Sequence, residues 1–131
     1  MRGLGALSLL LVAACASLPK TPTQLSGQWG GAHAGLLLEG GIGKLEYDCA
    51  TGTIDSPIFP SPDGNFVVTG THRPGHGGPV RVGQIFTSHR ATYSGTVAGD
   101  QMTLAIRLEN GTALGPFTMA RGAQAQLTRC L

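Results

Sequence analysis

Four histidines, His33, His72, His76 and His89, are the residues best suited to acid–base or metal chemistry near neutral pH. His72 and His76 are four residues apart, which would place both rings on one face of a helix, but two prolines and three glycines in residues 72–81 exclude a helix. We therefore predict that this segment is a glycine-rich loop with solvated or hydrogen-bonded imidazoles. A loop can still bring histidines together, so a weak metal site that adds His33 or His89 stays open as an alternative.

The single tryptophan, Trp29, is followed by Gly30 and Gly31, and these glycines let another strand or a ligand approach the indole closely. The favoured interpretation is structural, with the ring filling the closed end of a small barrel. The alternative is contact with a ligand. The candidate binding residues predicted from the sequence are Trp29, His33, His72, His76 and Arg81.

No arrangement of residues predicts a catalytic site. No serine lies in a Gly-x-Ser-x-Gly sequence. Glu46 and Asp48 lie two apart on one face of a strand, and such acids more often mark a solvated face than glycosidic or metal chemistry. Residues 40–44 lack the full spacing of a phosphate-binding loop and are predicted to form a hairpin turn. We predict no catalytic residue, no metal ligand and no cofactor.

The beginning of the chain has the layout of a secretory signal. Arg2 precedes a run of apolar or small residues from Leu4 to Ala14, broken by Ser8. The run is too short to span a bilayer, which needs about 20 apolar residues. We predict a signal peptide over residues 1–14.

Val12-Ala13-Ala14-Cys15 resembles the lipobox of bacterial lipoproteins, in which a cysteine is diacylated before cleavage. The resemblance implies that Cys15 is lipidated and anchors the mature protein to a membrane, with residues 15–24 as a tether. Ala16, rather than Asp, follows this cysteine, which by the same resemblance implies sorting to the outer membrane, facing the periplasm. Ala14-Cys15-Ala16 also fits ordinary signal cleavage, which would release a soluble periplasmic or secreted protein.

The remaining cysteines support an exported protein. With Cys15 assigned to lipid, Cys49 and Cys130 form an even pair in an oxidising compartment, and we predict a disulfide between them. It would close a loop of roughly 80 residues. The alternative is two unrelated buried thiols.

Composition favours one turn-rich β domain over residues 25–131. The chain of 131 residues has 21 Gly and 8 Pro, and 41% apolar residues suffice for a core. Nine Lys and Arg against seven Asp and Glu give a net charge of +2, which becomes +1 without Arg2. This balance implies no basic patch and no nucleic-acid partner.

Alternating apolar and polar residues predict strands separated by turns, with no stretch of helical periodicity. The clearest pattern is a hairpin of residues 90–97 and 102–108 around Gly99-Asp100, followed by the turn dipeptide Asn110-Gly111. The other predicted strands are 27–34, 36–39, 44–49, 52–54, 64–71, 80–86, 117–120 and 126–130. We predict an all-β fold, an antiparallel up-and-down meander of eight to ten short strands closed as a small barrel or flattened sandwich.

Four stretches of the chain carry a family resemblance. They are residues 29–33 (Trp-Gly-Gly-Ala-His), 48–49 (Asp-Cys), 76–81 (His-Gly-Gly-Pro-Val-Arg) and 129–131 (Arg-Cys-Leu). In these stretches the chain resembles a family of small, exported, uncharacterised bacterial proteins, many of which begin with a lipobox. The resemblance covers most of the mature chain. It supports the predicted fold and disulfide and implies no particular activity.

Together these features favour a non-enzymatic, lipid-anchored envelope module that binds a small molecule, a peptide or an envelope protein. Binding would use the mouth of the barrel or the loop of residues 72–81. One alternative is a metal-dependent hydrolase that uses clustered histidines. Another is a structural component of an outer-membrane assembly.

Overall fold

The computed structural model describes Gly3 and residues 23–75, 82–83 and 87–130. The predicted signal peptide over 1–14, Cys15, most of the predicted tether, His76 and Arg81 lie outside these residues. The described residues form eight strands and no helix: β1 (Gly27–Gly31), β2 (Ala34–Glu39), β3 (Ile42–Tyr47), β4 (Ala50–Ile54), β5 (Asn65–Pro74), β6 (His89–Ala98), β7 (Gln101–Leu108) and β8 (Ala113–Arg121). The described part of the chain therefore contains no helix that is long and apolar enough to cross a bilayer.

The strands form a closed antiparallel barrel in which each strand pairs with the next along the chain. The predicted all-β meander is thereby confirmed, as a barrel of eight strands rather than a flattened sandwich. The ring closes between β8 and β1, where Trp29 pairs with Arg121 and Gly30 with Ala120. Closure leaves none of the eight strands with an open edge that could pair with another chain.

The core lies inside the barrel because inward-facing residues alternate with outward-facing ones. In β7 the pattern is strict: Met102, Leu104 and Ile106 are buried and their neighbours are exposed. Trp29 and Tyr93 are the largest side chains that are fully buried. Gly52 makes room for Tyr93, since a Cβ atom at residue 52 would lie 2.4 Å from the Tyr93 hydroxyl oxygen.

The two ends of the barrel differ. At one end, called the closed end, the connection between β4 and β5 covers the interior. Ile58 of this connection is 1% exposed, and its carbonyl accepts a hydrogen bond of 2.8 Å from the backbone N–H of Leu25, which is itself buried. At the other end, called the open end, lie the β1–β2, β3–β4 and β7–β8 connections, the end of β5 and the beginning of β6.

The chain after β8 returns to the open end. The carbonyl of Gln126 accepts a hydrogen bond from the N–H of His33 (2.8 Å), and the Gln126 N–H donates to the carbonyl of Gly31 (2.9 Å). Cys130 then lies beside Cys49 with the two Cα atoms 4.9 Å apart, so the predicted pair is placed at disulfide distance. The strand predicted over 126–130 is wrong: only Gln126 forms a single bridge, because β1 and β8 already pair with each other and offer this segment no free strand.

Two other predicted strands run into turns, whereas those predicted over 36–39, 52–54, 64–71 and 117–120 correspond to β2, β4, β5 and β8 with ends that differ by up to four residues. The strand predicted over 27–34 is divided by a turn at His33, which has a φ of 69°. The strand predicted over 44–49 ends at Tyr47, and Cys49 in the following turn has a φ of 60°. Of the strand predicted over 80–86, Val82 and Gly83 form a turn and the rest lies outside the described residues.

Replacing Cys49 and Cys130 together by Ser is expected to lower the unfolding free energy of the oxidised mature chain by about 4 to 5 kcal/mol. The reason is that a cross-link across a sequence separation of 81 residues restricts the unfolded chain strongly. Urea unfolding with and without a reductant measures the loss. A reductant should reproduce it in the unmutated chain and leave the double variant unchanged. Equal urea midpoints for the oxidised and reduced unmutated chain would contradict the prediction.

Candidate functional site

The open end of the barrel holds a cavity of about 740 Å³. Its apolar wall includes Tyr47, Leu114 and Phe117, and its polar groups include His33, Asp48 and His72. We call this the open-end cavity. It lies where β3, β5 and β8 and the turns after β1 and β3 meet, so it is built from residues far apart in the sequence.

One wall of the open-end cavity is a cluster of three rings. The ring centroid of Tyr47 lies 5.6 Å from that of His72, with the planes tilted by 43°. It also lies 5.6 Å from that of Phe117, with a tilt of 32°. These separations fall within the range in which ring pairs attract each other, so the cluster presents a packed, mostly apolar surface.

His72 is the buried polar side chain of this wall. It lies on β5, paired in register with Gly52 of β4 and His89 of β6, and it is 6% exposed. Its Nδ1 atom has no hydrogen-bond partner among the residues that the structure describes. Burial, aided by the nearby charge of His89, lowers the pKa of the His72 imidazole, so the ring is neutral at pH 7.

The rim of the cavity is a polar contact between two turns. Nδ1 of His33, in the β1–β2 turn, pairs with Oδ2 of Asp48, in the β3–β4 turn. Oδ1 of Asp48 accepts a hydrogen bond of 2.6 Å from the backbone N–H of Thr128. The hydrogen bond from the Thr128 N–H is the main cause that lowers the pKa of the Asp48 carboxyl. Burial opposes it, and the hydrogen bond and charge of His33 lower the pKa further. Asp48 is therefore ionised at neutral pH and joins both turns to the C-terminal segment.

Two tyrosine hydroxyls lie side by side above Gly52. The Tyr93 hydroxyl donates a hydrogen bond to the carbonyl of Thr71, and the Tyr47 hydroxyl lies next to it. Burial is the main cause that raises the pKa of both phenols, so both keep their protons at neutral pH. The interior next to the cavity is thus polar and uncharged.

The structure brings together two of the predicted binding residues, His33 and His72, at the open-end cavity. Trp29 lies elsewhere: it is fully buried, its indole N–H donates to the carbonyl of Ser26 (3.2 Å), and the guanidinium of Arg121 lies 4.3 Å from the ring centroid. His89 lies next to Glu109, with 3.6 Å between Nδ1 and Oε1. His76 and Arg81 are not among the described residues.

No group of three His, Cys, Asp or Glu side chains that could hold a metal ion occurs within residues 23–75, 82–83 and 87–130. Glu46, which the sequence placed beside Asp48 as a possible acid pair, points away from the barrel interior and does not line the open-end cavity. The polar side chains that line it include His33 and Asp48 at the rim, the imidazole of His72, and the hydroxyl-bearing Tyr47 and Thr118.

Sequence reasoning missed Tyr47 and Phe117 as site residues. A signal was present, since alternation along β3 and β8 points both rings into the barrel. Alternation does not tell which inward residues of different strands reach the same end. That depends on the register of three strands that are far apart in the sequence.

Acidification from pH 7.5 to 5.0 is expected to lower the unfolding free energy of the mature chain, partly through His72. The pKa of His72 is lower in the folded state than its ordinary value of 6.5, so the unfolded chain binds this proton first. The contribution of His72 to the unfolding free energy is therefore fully present above pH 6.5 and is lost as the pH falls below that value. The pKa of the Asp48 carboxyl lies below its ordinary value of 3.8, so protonation of Asp48 lowers the unfolding free energy only in more acidic solution.

Urea midpoints at both pH values test this with two variants. His72→Phe keeps a ring in the cluster without a titratable group and should show a smaller drop in stability between pH 7.5 and 5.0. His33→Gln removes an imidazole whose side chain is 60% exposed and should keep the drop due to His72. An unchanged drop in His72→Phe would contradict the assignment.

Comparison with protein-family models, with curated proteins and with solved structures finds no match for this chain.

Proposed function

We propose that this protein is a lipid-anchored module of the bacterial cell envelope that binds a small, mostly apolar molecule in the open end of its barrel. The observation that carries the proposal is the open-end cavity of about 740 Å³ beside the cluster of Tyr47, His72 and Phe117. Sites for small molecules are typically concave, apolar and about 300 to 1,000 Å³ in volume, with a few polar groups that fix orientation.

In the part of the chain that the structure describes, packed side chains fill one end of the barrel and a cavity remains at the other, which supports this use. Eight-stranded barrels have an interior that side chains can fill or that can hold one small ligand. Here Leu25 and Ile58 fill the closed end, whereas the opposite end keeps its cavity. A ligand would enter through the open end and lose water from its apolar surface, which contributes about 25 cal/mol per Å² buried.

The charges at the cavity favour a neutral ligand. The described residues that line it include the Asp48 carboxylate and no Lys or Arg. Asp48 is already paired with His33 and the Thr128 N–H, and the His72 imidazole is neutral. An anion would meet no Lys or Arg side chain in the described lining, and the His33 imidazole is already paired with Asp48. For this reason we propose a small molecule rather than an acidic peptide.

The proposed localisation in the cell envelope rests on the three cysteines. Cys15 would carry the lipid, and Ala16 after it would direct the protein to the outer membrane, facing the periplasm. The separation of 4.9 Å between the Cα atoms of Cys49 and Cys130 supports an oxidising compartment, in which we propose that they form a disulfide. The resemblance of residues 29–33 and 76–81 to exported bacterial proteins supports the same localisation.

Binding is tested with N-phenyl-1-naphthylamine, a neutral apolar fluorophore whose emission rises in apolar surroundings. The mature chain should bind it saturably with one site. Leu114→Trp, which fills the cavity from its apolar wall, should weaken binding by about tenfold or more. Val67→Trp adds the same side chain at an outer position that is 70% exposed and should leave binding unchanged.

Circular dichroism checks that both tryptophan variants keep the β fold. Where Leu114→Trp does not fold, Phe117→Ala, which removes one ring of the cluster, takes its place. Saturable binding that Leu114→Trp and Phe117→Ala both leave unchanged would place the fluorophore outside the open-end cavity. The absence of saturable binding in the unmutated chain would argue against the proposed function.

The proposed anchor is tested by Cys15→Ala in a bacterial host. The variant is expected to lose acylation and to leave the membrane fraction, since several buried acyl chains, at about 0.8 kcal/mol per methylene, are what holds the protein there. Intact-mass measurement of the purified protein and membrane fractionation provide the readout. Unaltered mass and fractionation would favour ordinary signal cleavage and a soluble protein.

A further inference from the structure

Two buried polar atoms of residues that line the open-end cavity, Nδ1 of His72 and the hydroxyl oxygen of Tyr47, lack a hydrogen-bond partner among the described residues. The Tyr47 hydroxyl lies beside that of Tyr93 above Gly52. His72 is 6% exposed, and its Nδ1 atom has no partner among the described residues. A buried polar atom without a partner costs free energy of folding, so such atoms are rare in proteins and call for a specific explanation. Because His72 lines the cavity, a bound molecule can supply the missing partner.

The surroundings of His72 limit the shape of that molecule. Tyr47 packs against His72 on one side and Phe117 on the other, with both ring-centroid distances 5.6 Å. Leu114 and Pro116 add further apolar surface to the wall. A flat ring system makes the largest contact with such a wall because offset and edge-to-face arrangements of rings are favourable.

Charge limits the molecule further. The nearest ionised group of the described lining is Asp48, at the rim, where it is held by His33 and by the backbone of Thr128. The deeper part of the wall contains phenol, phenyl, imidazole and aliphatic groups. An ion placed beside His72 would therefore lose its water without gaining an opposite charge, which is unfavourable.

From these observations we infer that the open-end cavity takes a planar, uncharged aromatic molecule that carries a hydroxyl group. Its ring packs against Tyr47 and Phe117, and its hydroxyl forms a hydrogen bond with Nδ1 of His72. This inference rests on the proposed function and names the chemical class of its ligand.

A hydroxyl group fits Nδ1 better than a carbonyl or an ether oxygen does. Neutral imidazole carries its proton on one of its two nitrogens, so Nδ1 is a donor in one tautomer and an acceptor in the other. A hydroxyl both donates and accepts and can rotate to suit either case. A carbonyl or an ether oxygen only accepts and serves one tautomer.

Three probes of similar size and shape test the inference on the mature chain at pH 7.5: 2-naphthol, 2-methoxynaphthalene and naphthalene. Displacement of N-phenyl-1-naphthylamine gives their relative affinities. The hydroxyl compound is expected to bind about three- to tenfold more tightly than the methoxy compound, as one additional net hydrogen bond allows. Equal affinities of all three probes would overturn the inference and leave the proposed apolar binding intact. Failure of all three to compete would contradict both.

Variants at residue 72 locate the interaction. His72→Phe removes Nδ1 while keeping a ring, so it should abolish the preference for 2-naphthol and leave the affinity for naphthalene within about twofold. His72→Asn keeps a polar atom near the position of Nδ1 and should retain part of the preference. A preference that persists in His72→Phe would overturn the assignment to His72.

Imidazole ¹⁵N chemical shifts of the unmutated chain give a test that does not depend on the folding of a variant. The His72 ring nitrogens should shift on addition of 2-naphthol and much less on addition of 2-methoxynaphthalene. His89, its cross-strand partner on β6, serves as the internal reference. Equal shifts with both compounds would contradict a hydrogen bond from the hydroxyl.

Discussion

The barrel depends on a close approach of backbones where β8 meets β1. A Cβ atom at residue 31 would lie 2.1 Å from the carbonyl oxygen of Thr118, and one at residue 30 would lie 2.4 Å from that of Ala123. Neither distance is compatible with a side chain, so Gly31 is required for β1 and β8 to come together, and Gly30 for the segment after β8 to pack on β1. Without the contact between β1 and β8 the sheet would stay open, with the edges of both strands exposed to other chains.

Closure also explains why the site lies where it does. In an up-and-down meander, every second connection lies at the same end of the barrel, so the turns that carry His33 and Asp48 become neighbours although fifteen residues separate them. The opposite end is filled by Leu25 and by Ile58 of the β4–β5 connection. One end is therefore packed like a core, and the other is left with aromatic and imidazole side chains that face a cavity.

Much of the fold could be predicted from local patterns. The hairpin predicted over 90–97 and 102–108 corresponds to β6 and β7 within one or two residues, because each strand alternates strictly and Gly99 adopts a positive φ of 59° in the turn. The turns at His33 and Cys49 were missed, since both residues have positive φ values that Gly, Asn or Asp usually provide. The strand predicted over 126–130 failed because alternation cannot show that the barrel is already closed.

The candidate site was predictable only in part. Histidine chemistry pointed to His33 and His72, which the fold brings to one cavity. Nothing local connects them with Tyr47 or Phe117, because that contact requires the register of β3, β5 and β8. Trp29 shows the opposite case: its rarity drew attention to it, but its ring is buried under Arg121 and serves the packing of the barrel.

The segment after β8 bears on how much entropy the proposed ligand would lose on binding. The backbone carbonyl of Gln126 accepts a hydrogen bond from the N–H of His33, and the N–H of Thr128 donates to the Asp48 carboxylate. Cys49, in the same turn as Asp48, lies beside Cys130. These contacts connect the two turns at the rim of the open-end cavity to the C-terminal segment. For the proposed ligand, turns that are already connected in this way would reduce the entropic cost of ordering them on binding, which favours affinity even where contacts are few.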